Sequence, residues 1–137
     1  ERKKEMILEL TNAAGSVRVE DNEEYNDDLV AIEEAKRRAA LQIGQMRYGP
    51  EQKDYFWIIN MEPRMIMHPY RKDLIDSNLT NFRDNHENNL FVDAKNLVKS
   101  KEEGFIEYYW QWKDDTSRVV PKLSYVKGYK KWGWIVG

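Results

Sequence analysis

Residues 55–69 read YFWIINMEPRMIMHP. The stretch holds three aromatics, three methionines and one histidine, divided at Glu62-Pro63. Aromatic and β-branched residues over Tyr55–Asn60, a proline-containing turn and a second apolar run over Arg64–His68 predict a β-hairpin. The half of the chain before this hairpin has helical periodicity, and the half after it reads mostly as strands. Helices followed by a run of strands predict an α+β domain with an antiparallel sheet of about five strands.

Upstream, Met6, Leu10, Ala13 and Val17 recur at 4-3-4 spacing, the seam of a helix that packs along one partner. Two readings stand: a helix facing the core, or a projecting helix that pairs with its copy in a homodimer. Tyr25-Asn26-Asp27-Asp28 predicts a break, with Asp28 as N-cap of the next helix. There Ile32, Ala35, Ala39, Ile43 and Met46 share one face, and Glu33→Arg37 and Glu34→Arg38 are spaced as i,i+4 pairs on a solvated face. Gly49-Pro50 ends that helix. The organisation expected is one domain over residues 1–137, helical over 1–48 and sheet-forming over 54–137.

Downstream, Tyr70–Asn89 is polar except for Leu74, Ile75, Leu79 and Phe82, which predicts a loop held at a few points. Leu90, Phe91, Ala94, Leu97 and Val98 predict a short helix ending before Gly104. Phe105–Trp112 reads as a strand with Tyr108, Trp110 and Trp112 on one side and Tyr109 and Gln111 on the other. Lys113–Thr116 turns it, and Lys122–Tyr129 and Lys131–Val136 read as two further strands.

Composition removes several classes of function. The 137 residues contain no cysteine, so disulfides, thiolate metal sites and cysteine nucleophiles are excluded. A net charge of −2 asks for neither nucleic acid nor an anionic surface. No apolar run reaches the roughly 20 residues of a spanning helix. His68 and His86 lack metal-ligand spacing, so no metal or cofactor is expected. No nucleophile–base pair, paired carboxylates or phosphate-cradling glycine loop is evident, so no catalytic residue is assigned. The chain is expected to be a piece of a longer protein.

The motifs RYG (Arg47–Gly49), YFWI (Tyr55–Ile58), MEPRMIMHP (Met61–Pro69), LFVDAKNLVK (Leu90–Lys99), GFIEYYW (Gly104–Trp110), PKLSYVK (Pro121–Lys127) and WGWIVG (Trp132–Gly137) follow one another in order. Together they resemble the single Cache domain, the type-2 Cache module of bacterial chemoreceptors and sensor kinases. The resemblance implies a PAS-like sheet behind a long N-terminal helix, outside the cytoplasmic membrane and flanked by transmembrane helices. It also implies a pocket for a small organic acid of the acetate, propionate or pyruvate type. The chain departs from the family at Asn60, where Asp is common, at Ser77, where Gly is frequent, and at Asn85–Asn88, which replaces a Pro/Gly turn.

A pocket for a small acid needs a fixed cation or donors in an apolar wall. Lys122, the lysine of PKLSYVK, is the candidate cation. His68 is a candidate donor, its backbone held extended by Pro69. Tyr55 and Trp57 share one strand face, and Tyr108 and Trp110 another; their hydroxyl and indole groups are candidates to complete the hydrogen bonding. Met67 is a candidate wall residue. Tyr125 falls on the face opposite Lys122 in a regular strand and joins the site only across a bulge. Arg47 and Arg64 are further candidate cations. The competing reading is a structural or dimerisation module whose pocket is filled by side chains.

Overall fold

The computed structural model describes residues 25–137, with side chains from residue 29. The Met6–Val17 seam and the dimer pairing expected of it lie outside the described residues. Helix α1 spans Tyr25–Gln45. Asp28 therefore lies inside a helix and does not cap one, which corrects the expected break at 25–28. The ion pairs on its outer face are Glu33–Lys36 and Glu34–Arg37, both at i,i+3. They replace the i,i+4 pairs predicted from spacing.

Strands β1 (Ile58–Asn60) and β2 (Met65–Met67) form the predicted hairpin around Glu62-Pro63. A 3-10 turn at Lys72–Leu74 and the polar loop follow, pinned by buried Leu79 and by Leu74, Ile75 and Phe82 packed on the core. Helix α2 spans Leu90–Lys101 and is capped by Asn89, whose Oδ1 accepts the Val92 N–H at 3.1 Å. Strand β3 (Glu103–Trp112) turns at Lys113 into β4, which at Asp115–Tyr129 is longer than the predicted strand. Strand β5 (Trp134–Val136) closes the sheet in the order β2-β1-β5-β4-β3, all neighbours antiparallel.

Alternation along these strands separates two layers of side chains. Phe56, Ile58, Tyr125, Trp134 and Val136 meet Ala39, Ala40 and Ile43 of α1. Tyr55, Trp57, Ile59, Met65, Tyr108, Trp110, Val126 and Ile135 meet Leu90, Phe91 and Ala94 of α2 and the loop residue Leu79. Small residues let α1 lie close: a Cβ on Gly44 would sit 2.7 Å from Met67 Cγ. Sequence order thus puts one helix on each face, with the loop completing the second.

The loop also protects an edge. Strand β3 is terminal in the sheet, and its Tyr109 N–H donates to Asp84 Oδ2 at 2.8 Å. Asp84 Oδ1 accepts the His86 and Asn88 N–H groups at 2.8 and 2.9 Å. Burial opposes the charge on Asp84, but these donors outweigh it and hold the carboxyl down to about 2. Tyr109 faces Pro121 across the pair, where a missing donor is harmless because the Tyr109 N–H points outward. The substituted turn at Asn85–Asn88 is therefore organised by the aspartate before it.

Candidate functional site

The loop-covered face brings together six of the eight residues singled out for the pocket. Lys122 and Tyr108 are cross-strand partners on β4 and β3. Lys122 Nζ donates to the Tyr55 hydroxyl at 2.8 Å and lies 4.1 Å from the centre of that ring. Tyr55 packs on His68 at 4.8 Å between centroids, and His68 on Trp110 at 5.6 Å. Trp57 and Trp110 both meet Phe91 edge-on, at 5.5 and 5.9 Å.

His68 is 1% exposed, and its state follows from its hydrogen bonds. Its Nδ1 lies 3.2 Å from the Tyr70 N and 3.0 Å from the Arg71 N. Both are backbone donors, so Nδ1 is an acceptor and the ring proton sits on Nε2. Burial first, then the charges of Lys122 and Arg71, push the imidazole down to about 3. The ring is a neutral donor at physiological pH, and Pro69 sets the turn that aims it.

The tyrosines are likewise protonated. Burial and the neighbouring Tyr108 drive the Tyr55 phenol far above its ordinary value; the Trp110 indole points toward that hydroxyl without closing a hydrogen bond. Burial pushes Tyr108 up to about 12, with the Ser124 hydroxyl and Trp57 indole drawing it part-way back. Trp110 Nε1 is buried and has no acceptor among the described residues. Lys122, Tyr55, His68 and Trp110, each carrying an N–H or O–H donor, are thus linked by contact in one cluster. Two surface grooves approach it: one of about 490 Å³ along Tyr108, Pro121 and Lys122, and one of about 500 Å³ along Tyr70, Arg71 and Trp110.

The sequence profile named Single Cache domain 2 matches residues 1–137. The chain belongs to the single Cache domain family. It is 38% identical over 105 residues to the methyl-accepting chemotaxis protein McpP of Pseudomonas putida, covering 76% of this chain and 19% of that protein. This Cache domain thus spans about a fifth of the curated relative it matches. A periplasmic sensor domain of a chemotaxis protein superposes with a TM-score of 0.80 at 31% identity, covering 96% of this chain and 85% of the other. A Cache chemosensory domain described for carboxylic acid recognition does so at 0.77 and 31%, covering 98% and 90%. The Cache domain is an extracytoplasmic sensor module with a PAS-like sheet, and none of its described helices is long and apolar enough to cross a membrane.

Two of the eight pocket candidates lie elsewhere in the Cache domain. Tyr125 is on the α1 face, where its hydroxyl donates to Glu103 Oε2 at 2.5 Å. Pairing without a slip from Glu103 to Gln111 keeps Lys122, Ser124 and Val126 on one face and Tyr125 on the other. Met67 also packs toward α1, against Gly44. The β1–β2 register shifts between Ile58 and Ile59, so Ile66 and Met67 both join the α1 layer while Met65 stays on the loop side.

Other side chains are committed to structure. Asn60 Oδ1 accepts the Glu62 and Arg64 N–H groups at 3.0 and 2.8 Å, so this departure from the family builds the hairpin turn. Arg64 bonds the Asp76 carbonyl and Glu62, and Arg47 bonds the Gly44 and Met46 carbonyls at the end of α1. Trp112, expected on the strand side that carries Trp110, follows a register shift after Gln111 and lies among Lys53, Lys113 and Arg118. Sequence reasoning missed Ser124, Tyr70 and Phe91. Ser124 shares parity with Lys122 and was detectable; Tyr70 and Phe91 reach the cluster only through loop and helix placement.

Proposed function

We propose that this domain senses a short carboxylic acid for a transmembrane signalling receptor, and that Lys122, His68, Tyr55 and Trp110 hold the carboxylate. The observation that carries the reading is the buried Trp110 N–H without an acceptor among the described residues, set beside the Lys122–Tyr55 contact and the neutral His68 ring. Trp110 Nε1 lacks an acceptor among the described residues, and an ionised carboxylate is acceptor-only with about four lone-pair sites. Phe91, Trp57 and Tyr108 exclude water from it, which strengthens each charge-assisted bond. The similarity to a Cache domain described for carboxylic acid recognition supports the same class of ligand. The domain binds its acid without transforming it, and output belongs to a module elsewhere in the protein. Pairing of two copies through the N-terminal helix is the mode of assembly proposed with it.

A ligand of four to six heavy atoms gains at most about −6 to −9 kcal/mol, which places dissociation in the micromolar range. A thermal-shift screen of short mono- and dicarboxylates tests the site. At a hundredfold excess over Kd the bound acid stabilises the fold by about 2.7 kcal/mol, a shift of several degrees. Lys122→Met, which keeps the methylene stem, abolishes that shift. The packing of the Tyr55, His68 and Trp110 rings on one another favours the competing reading, a domain whose pocket is filled by its own side chains. Absence of any shift with every acid decides for that reading.

A further inference from the structure

One corner of the cluster holds a second donor without use. Tyr108 and Ser124 are 3% and 1% exposed and lie on the face that carries Lys122. Their hydroxyl oxygens are 2.6 Å apart. Two hydroxyls carry two hydrogens, and the single bond between them uses one. Whichever group donates, the hydrogen of the other has no acceptor among the described residues. Ile106, the cross-strand partner of Ser124, and Val126, two residues along the same strand, are apolar and supply none. A donor kept in so dry a place at a cost to the fold calls for an oxygen brought from outside.

Position limits where that oxygen sits. Residues two apart on a strand are separated by roughly 6.6 Å, so Ser124 is near the Lys122 end of the site. An oxygen attached close to the carboxylate falls between them, whereas one at the end of a long chain does not. We propose that Ser124, oriented by Tyr108, is a specificity-determining residue that donates to an oxygen on the acid's second carbon. The preferred ligands are then 2-oxo or 2-hydroxy acids over plain alkanoates of the same length. This rests on the acid-binding reading above and narrows it.

Propionate, 2-hydroxypropionate and 2-oxopropionate share one carbon skeleton and differ only in whether the second carbon carries no oxygen, a hydroxyl or an oxo group, which makes them the probes for titration calorimetry on the 137-residue chain. The expected result is that at least one oxygenated acid binds about tenfold more tightly than propionate, the worth of one hydrogen bond. Ser124→Ala removes that margin and leaves propionate affinity within about twofold. Tyr108→Phe narrows the margin in the same direction, so the inference stays testable if either variant folds poorly. Equal or tighter binding of propionate by the unmodified protein, or a margin that survives Ser124→Ala, overturns the inference and leaves the acid site standing. If none of the three acids binds, the acid site and this inference fall together.

Discussion

The two faces of the sheet are built from the same strands and solve different problems. On the α1 face, Phe56, Ile58, Trp134 and Val136 meet alanines and Ile43, and apolar area removed from water is the main account. The other face buries His68, Ser124 and the hydroxyls of Tyr55 and Tyr108, and half-buries Lys122, among rings that would pack as well without them. Burying such groups costs free energy unless each is matched, and Trp110 Nε1 is not. The first face therefore holds the fold together. The second spends stability on buried donors, and the acid-binding proposal rests on them.

That contrast is sharpest in stability measurements. Phe56, fully buried and 5.2 Å from the Tyr48 ring, anchors the α1 face. Truncating it to alanine is expected to cost about 3–5 kcal/mol in urea unfolding. A loss under 1 kcal/mol would mean that α1 is not what stabilises the sheet.

A smaller effect separates the faces by pH. The folded His68 titrates near 3, below its unfolded value near 6.5. Below pH 6.5 the unfolded chain gains a proton that the folded chain refuses, so stability is complete above that pH and falls as pH drops toward 3. Between pH 7.5 and 5.5 the expected loss is about 1.4 kcal/mol. His68→Asn keeps an acceptor for the Tyr70 and Arg71 N–H groups and should flatten the profile. An unchanged slope in that variant would show that His68 is not the titrating group.

Lys122→Met comes next: it should change unfolding free energy by no more than about 1 kcal/mol, in either direction, while removing acid binding. A large destabilisation would place Lys122 in the structural set after all. The least effect belongs outside both layers. Glu34 meets Arg37 on the solvated side of α1, and Glu34→Ala should cost only a few tenths of a kcal/mol, less at high salt.

Much of this was legible in the chain. The Tyr55–His68 pattern and its turn gave the hairpin, and the short amphipathic run gave α2. Parity along β4 separates Lys122 from Tyr125 in the sequence itself, because side chains alternate with a period of two. That rule holds only while the pairing is regular. The register shifts at Ile58/Ile59 and Gln111/Trp112 carried Met67 to the α1 layer and Trp112 to a half-buried place among cationic side chains, and no local residue pattern announced either. Nor did Asn60 reveal that its side chain would close the hairpin.

The sequence by itself determined which elements form, which positions share a strand face and which residue types are available for an acid: one lysine, one extended histidine and a set of tyrosines and tryptophans. Only the tertiary structure decided that Lys122 meets Tyr55, 67 positions away in the chain, and that the loop N–H groups after His68 fix its proton on Nε2. It also decided that, among the described residues, Trp110 and the Tyr108–Ser124 pair are left with donors to spare. Alternation and capping are local properties of a few consecutive residues. Whether a hydrogen bond is made or left open depends on what packs against it from elsewhere, and a one-dimensional pattern does not carry that.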